Sequence, residues 1–142
     1  MSTLLLEKFS SFYTNLDTMK VEDLAEIYST DVLFIDPIAE HKGIAAVENY
    51  FAKLLRNAKS CSFVIHTKQD NQDGKCIVNW TMEYRTSTMN ANKPIKVEGI
   101  TMLTLKNDKI TFHRDYYDLG QMVYENIPLL GRLIKRIKRS MS

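Results

Sequence analysis

The sequence predicts an α+β fold in which a curved antiparallel sheet wraps around N-terminal helices and a last helix follows. Three observations predict it. Apolar residues repeat at helical spacing through much of the chain up to about residue 57. Beyond residue 59, four runs rich in Val, Ile, Thr and aromatic residues are separated by short turn signals. Helices also precede the strands instead of alternating with them, which excludes a βαβ parallel sheet.

The elements follow in order. Leu5, Phe9, Phe12, Tyr13 and Leu16 share one helical face, and Asp17-Thr18 breaks it. Leu24, Ile27 and Tyr28 carry a second short helix. Val32 to Asp36 is a short strand stopped by Pro37. Gly43 opens a third helix, lined by Ile44, Val47, Phe51, Leu54 and Leu55, to about Asn57. Residues 60–69, 75–88, 94–106 and 109–117 are the strand runs. The connections at 71–74, 90–93 and 107–108 are short enough for antiparallel hairpins. A final helix starts near Leu119 and is interrupted near Pro128 and Gly131. The concave side of such a sheet would enclose a pocket.

The 142 residues make one domain, and at 44% hydrophobic it needs no disulfide or metal to fold. Residues 1–128 form the body, and 129–142 a basic amphipathic helix continuing the same domain. No apolar run approaches the roughly 18 residues of a membrane span. The start, MSTLLLEKF, lacks the longer apolar run of a signal peptide, so a cytoplasmic location is expected. Cys61 and Cys76 lie in strand runs and read as buried free thiols.

Net charge is +2, but Arg132, Lys135, Arg136, Lys138 and Arg139 supply five positive charges near the end. The remaining 14 basic and 17 acidic residues leave the body at about −3, without the footprint of a nucleic-acid binder. Leu130, Leu133, Ile134 and Ile137 form an apolar stripe among those cations. Either the stripe packs on the protein and the charges are a solvated face, or the helix lies on an anionic membrane surface. The first alternative is expected.

Five scattered glycines make neither GxGxxG nor a P-loop, and His41, His66 and His113 have no metal-ligand spacing. No cofactor or metal is implied. The informative run is KITFHRDYYD. Strand alternation puts His113, Asp115 and Tyr117 on one face and Phe112, Arg114 and Tyr116 on the other. A carboxylate inside an apolar cup is how a general base or acid is made, and a neighbouring histidine would orient it. The alternative is that Asp115 pairs with Arg114 or a helix end at the rim. Asp36 is a second candidate, or else a turn residue bonding the backbone of Ile38 or Ala39. Trp80 and Met82 share a face with Val78 and Tyr84, as core or pocket wall.

Two segments, YSTDVLFIDPIAEHKGIAAVENYF (28–51) and NDKITFHRDYYDLGQM (107–122), carry a resemblance to the nuclear transport factor 2-like superfamily. The order of elements resembles its cone-shaped α+β barrel from about Leu4 to Leu130. Its branches include ketosteroid isomerase, SnoaL-type polyketide cyclases and limonene epoxide hydrolase. The resemblance places Asp36 at the isomerase's general base, Phe12 at its oxyanion tyrosine and Thr101 at its protonated aspartate. A phenyl ring donates no hydrogen bond to an enolate, so steroid isomerisation loses its electrophile. Asp115 matches the catalytic aspartate of the hydrolase and cyclase branches. The hydrolase's arginine and second aspartate fall near Met82 and Tyr84. The resemblance implies a small apolar ligand, Asp115 as base with His113 assisting, and Asp36 near the mouth. Tyr13, Phe34, Trp80, Met82, Thr101 and Tyr117 would line the pocket. It also implies a homodimer formed through the outer sheet face. The function expected is acid–base chemistry of isomerase, cyclase or hydrolase type, or else non-catalytic ligand binding or a dimeric interaction module.

Overall fold

A computed structural model describes residues 2–142. Helix α1 (Ser2–Thr14) buries the expected face, with Leu5, Phe9, Phe12 and Tyr13 all in the core and Leu16 just beyond its end. Leu6 joins them. The second helix is shorter than its spacing predicts. It is a 3-10 turn, Val21–Glu26, whose start is closed by Asp23 accepting from the Lys20 N–H at 3.0 Å. Tyr28 is not helical. Strand β1 (Tyr28–Ile35) begins there, because Tyr28 pairs with Ile110 in the sheet and the Ile110 N–H donates to the Ile27 carbonyl at 2.8 Å. Sheet pairing thus overrides a local i, i+3, i+4 pattern.

A tight connection returns β1 to a three-residue strand, β2 (Glu40–Lys42), that the sequence did not signal. Gly43 follows with φ +85°, a conformation that favours glycine, and its N–H donates to the Val32 carbonyl at 2.8 Å. Helix α2 (Ile44–Asn57) then buries Val47 and Phe51. Strands β3 (Ser60–Asp70), β4 (Lys75–Arg85), β5 (Ile95–Lys106) and β6 (Lys109–Tyr117) form the antiparallel meander. Asn107 and Asp108 both hold positive φ in the β5–β6 turn, as a two-residue hairpin with right-handed twist requires.

The sheet order is β2-β1-β6-β5-β4-β3. It departs from the expected antiparallel sheet at one seam, since β1 runs parallel to β6. The crossover from β1 to β6 spans the intervening chain, so no hairpin constrains its direction. The sheet remains unclosed, and α1, α2 and the 3-10 turn pack on its concave face. Residue alternation along β4 is clean, with Cys76, Val78, Trp80, Met82 and Tyr84 buried. Cys61 and Cys76 are buried free thiols, and burial pushes them up to about 12 and about 11. The convex face exposes Val64, Ile100, Met102 and Tyr116.

After β6 come α3 (Leu119–Met122), capped by Asp118, a 3-10 turn at Tyr124–Asn126, and α4 (Leu130–Ser140). The Tyr84 hydroxyl donates to the Met122 carbonyl and fastens this segment to the sheet.

Candidate functional site

The concave face holds a cleft with a cavity of about 70 Å³, or about 600 Å³ of non-atom space once the mouth is included. Tyr13, Phe34, Trp80, Met82 and Tyr117 line it as expected, together with Asp115 and Asp36. Its walls are otherwise apolar and aromatic, and no lysine, arginine or histidine is among the described lining residues. The cavity has room for only a few water-sized volumes.

Strand β6 aims the chemistry inward. His113 and Asp115 stand two residues apart on one face, and the His113 Nε2 to Asp115 Oδ1 distance is 2.7 Å. Thr101, opposite Asp115 on β5, donates its hydroxyl to the same Oδ1 at 2.6 Å. The Trp80 indole N–H donates to Thr101 Oγ1 at 2.8 Å. On the other side, Tyr28 OH lies 2.8 Å from His113 Nδ1, and Tyr13 OH lies 2.7 Å from Tyr28 OH. His113 also stacks on Phe34, with centroids 4.1 Å apart.

The donor directions follow from counting protons. Burial holds the Tyr13 and Tyr28 phenols well above the usual tyrosine range, and each keeps its proton. With His113 carrying its proton on Nε2, every group finds a partner. Tyr13 donates to Tyr28, Tyr28 to His113 Nδ1, His113 to Asp115, and Trp80 through Thr101 to Asp115 again. Protonating Nδ1 instead would leave a buried hydroxyl proton at the Tyr13–Tyr28 end without an acceptor, which costs about 1–3 kcal/mol.

Asp115 therefore has one oxygen fixed by two donors, while its Oδ2 accepts no hydrogen bond among the described residues. The side chain is 16% exposed, and it lines the cleft. The rim alternative fails, because Arg114 faces outward and lies over the Tyr116 ring.

Asp36 is placed differently. Its Oδ1 accepts from the Ile38 and Ala39 N–H groups at 2.8 and 3.0 Å, and its Oδ2 accepts from Tyr50 OH. Both oxygens are committed, so the turn reading of Asp36 holds although the residue also borders the cleft.

Two expected site residues stand behind the cleft instead of in it. His113 is 1% exposed and does not line the cavity. Thr101, also 1% exposed, borders only a neighbouring void of about 10 Å³. Both bond Asp115, which does line the cleft.

Sequence reasoning missed Tyr28 and Tyr50. Tyr28 shares strand parity with Val32 and Phe34, a signal that its helical spacing from Leu24 masked. Tyr50 precedes the core residue Phe51 on α2, and its role depends on packing against the Asp36 turn, which no spacing reveals. Among the lining tyrosines, Tyr13, Tyr50 and Tyr84 have committed hydroxyls. The Tyr117 hydroxyl makes no hydrogen bond among the described residues. Burial and the nearby Asp36 and Asp115 charges hold it neutral by pushing its pKa up.

A curved, unclosed α+β cone of this kind is the nuclear transport factor 2-like fold. Within it, the SnoaL-like domain family matches residues 9–113, and the chain belongs to that family. No curated protein matches it. Among solved structures, it is similar to a hypothetical protein with a ketosteroid isomerase-like fold from Catenulispora acidiphila, in complex with trimethylamine. That match has TM-score 0.75 and 17% identity, covering 87% of this chain and 93% of the other. It is also similar to a candidate SnoaL-like polyketide cyclase from Jannaschia sp., with TM-score 0.70, 13% identity, and 84% and 89% covered. A third is an LEH-like epoxide hydrolase from M. tuberculosis, with TM-score 0.67, 13% identity, and 83% of each chain covered. At these identities the likeness concerns the fold.

Proposed function

We propose that this protein is an acid–base enzyme acting on a small, mostly apolar carbonyl compound held in the cleft. The observation that carries the reading is Asp115, which lines the cleft with its Oδ1 fixed by His113 and Thr101 while its Oδ2 accepts no hydrogen bond among the described residues. A carboxylate so held is oriented before substrate arrives, which is what proton abstraction needs. Oδ2 takes a proton from the carbon beside the carbonyl, and the electron pair moves onto the carbonyl oxygen. The Tyr117 O–H is the uncommitted donor available to that oxygen. The proton then returns to another carbon, as in an isomerase, or the carbanion closes a ring onto a second carbonyl, whose oxygen takes the proton back from Asp115, as in a cyclase. Epoxide opening is the weaker fit, because no cation among the described residues lines the cleft to activate the leaving oxygen.

The test is hydrogen–deuterium exchange at the α-carbon of an enolisable apolar ketone, such as 2-tetralone, followed by NMR in D2O. Wild type should accelerate exchange, and Asp115→Asn should lose about 100-fold or more while still binding the ketone. Tyr117→Phe should lose at least tenfold. Equal exchange by wild type and Asp115→Asn overturns the catalytic reading, and bound ketone without exchange would make the protein a binder.

A further inference from the structure

Helix α4 meets the protein body by the wrong edge for its composition. Leu130, Leu133, Ile134, Ile137 and Met141 occupy one arc of roughly 100° at helical spacing. The edge that touches the body is a different one. Gly131 is buried so closely that a Cβ there would lie 2.3 Å from the Glu125 carbonyl oxygen, and Lys138 reaches Glu125 at 3.3 Å. The contacts of α4 are chiefly with the short turn at Tyr124–Asn126. Most of the apolar arc is consequently open, with Leu133 54%, Ile137 49% and Met141 81% exposed and Ile134 half-buried. Leu129, just before the helix, is 76% exposed and extends the patch. The expectation that this stripe packs on the protein is not met.

We propose that α4 lies flat on an anionic lipid surface, with its apolar arc inserted and its cations at the headgroups. Charge complementarity selects this occupant. Residues 126–142 carry five basic side chains and no acidic one. Only Lys138 has a carboxylate partner among the described residues. A second copy packed stripe to stripe would gather ten cations with no acid from either segment. Lipid phosphates and carboxylates neutralise the same charges, while Lys and Arg stems reach along the apolar boundary. The helix is about 16 Å long, so it lies in the interface and does not cross it. No helix among the described residues is long and apolar enough to cross a membrane.

Co-sedimentation with phosphatidylcholine vesicles, with and without phosphatidylserine at about one lipid in four, tests this directly on the wild-type chain. Binding should require phosphatidylserine and weaken at about 1 M salt, where screening shortens to roughly 3 Å. Each arginine removed should cost about fivefold, so Arg132→Gln, Arg136→Gln and Arg139→Gln together should lower partitioning on the order of 100-fold. Leu133→Glu with Ile137→Glu should abolish it, with unchanged Trp80 fluorescence showing an intact body. Equal sedimentation with both vesicle types overturns the proposal, as does binding that survives the double glutamate variant. A wild-type dimer that the double variant converts to monomer, without vesicle binding by either, would assign the stripe to a second copy instead.

Discussion

Tyr28→Phe removes one hydroxyl and leaves the packing volume nearly unchanged, so it isolates the hydrogen-bond chain behind Asp115. The lost oxygen accepts from Tyr13 and donates to His113 Nδ1, at 2.7 and 2.8 Å. His113 and Tyr28 are each 1% exposed, so solvent cannot replace the donor to Nδ1. A buried group left without its partner costs about 1–3 kcal/mol. Tyr13, at 6% exposed, loses its buried acceptor as well. The two losses together come to about 2–6 kcal/mol, which is roughly 6–18 °C in Tm for a domain of this size. Urea unfolding should show the loss as a lower midpoint with an unchanged slope. Nitrogen NMR of His113 gives the second readout. Wild type should carry the proton on Nε2, and the variant should keep it there, because the Asp115 carboxylate only accepts, while the Nδ1 resonance shifts as it loses its donor. A stability loss below about 0.5 kcal/mol, or a wild-type proton on Nδ1, would refute the directed chain from Tyr13 to Asp115.

Two further predictions come from the same core. A Cβ on Gly99 would lie 2.3 Å from the Trp80 ring, so Gly99→Val must push the indole aside and break its bond to Thr101. We expect a loss of about 1–3 kcal/mol and a red-shifted emission from the protein's one tryptophan, and an unshifted spectrum would contradict the packing described. Alkaline pH should destabilise the fold. Cys61 and Cys76 ordinarily titrate near 9.0 but are raised by burial to about 12 and about 11, and Tyr84 is raised from 10.0 to about 12. Tyr13, Tyr28, Tyr50 and Tyr117 are raised further. Their neutral forms are favoured in the folded state, so their stabilisation is whole below pH 9. It falls above that by about 1.4 kcal/mol per pH unit for each group already ionised when unfolded. Urea midpoints that stay level from pH 8 to pH 11 would refute this.

Much of the candidate site was legible because strand alternation is a local property. The run His113-Arg114-Asp115-Tyr116-Tyr117 sorts its own side chains into inner and outer faces, and the structure keeps that sorting. The same holds for Val78, Trp80, Met82 and Tyr84 on β4 and for the apolar face of α1. Tyr28 was hidden for the opposite reason. Its partner His113 is 85 residues away, reached through the parallel β1–β6 seam. No pattern within eight neighbouring residues reports a strand pairing of that span.

The α+β order, the inward row on β6 and the cationic amphipathic end can all be read along the chain. Each is periodicity or charge along a continuous stretch, and side-chain direction follows from backbone period alone. Which of the two candidate aspartates keeps an oxygen without a hydrogen bond depends on the packing of distant elements. Asp36 has its oxygens filled by its own turn and by Tyr50, whereas Asp115 is held on one oxygen by donors from β5 and β6 and left open on the other. That packing also decides that the stripe of α4 faces away from the body. Both are matters of which distant groups arrive to satisfy a polar atom or cover an apolar one, and that depends on strand neighbours and packing, not on spacing along the chain.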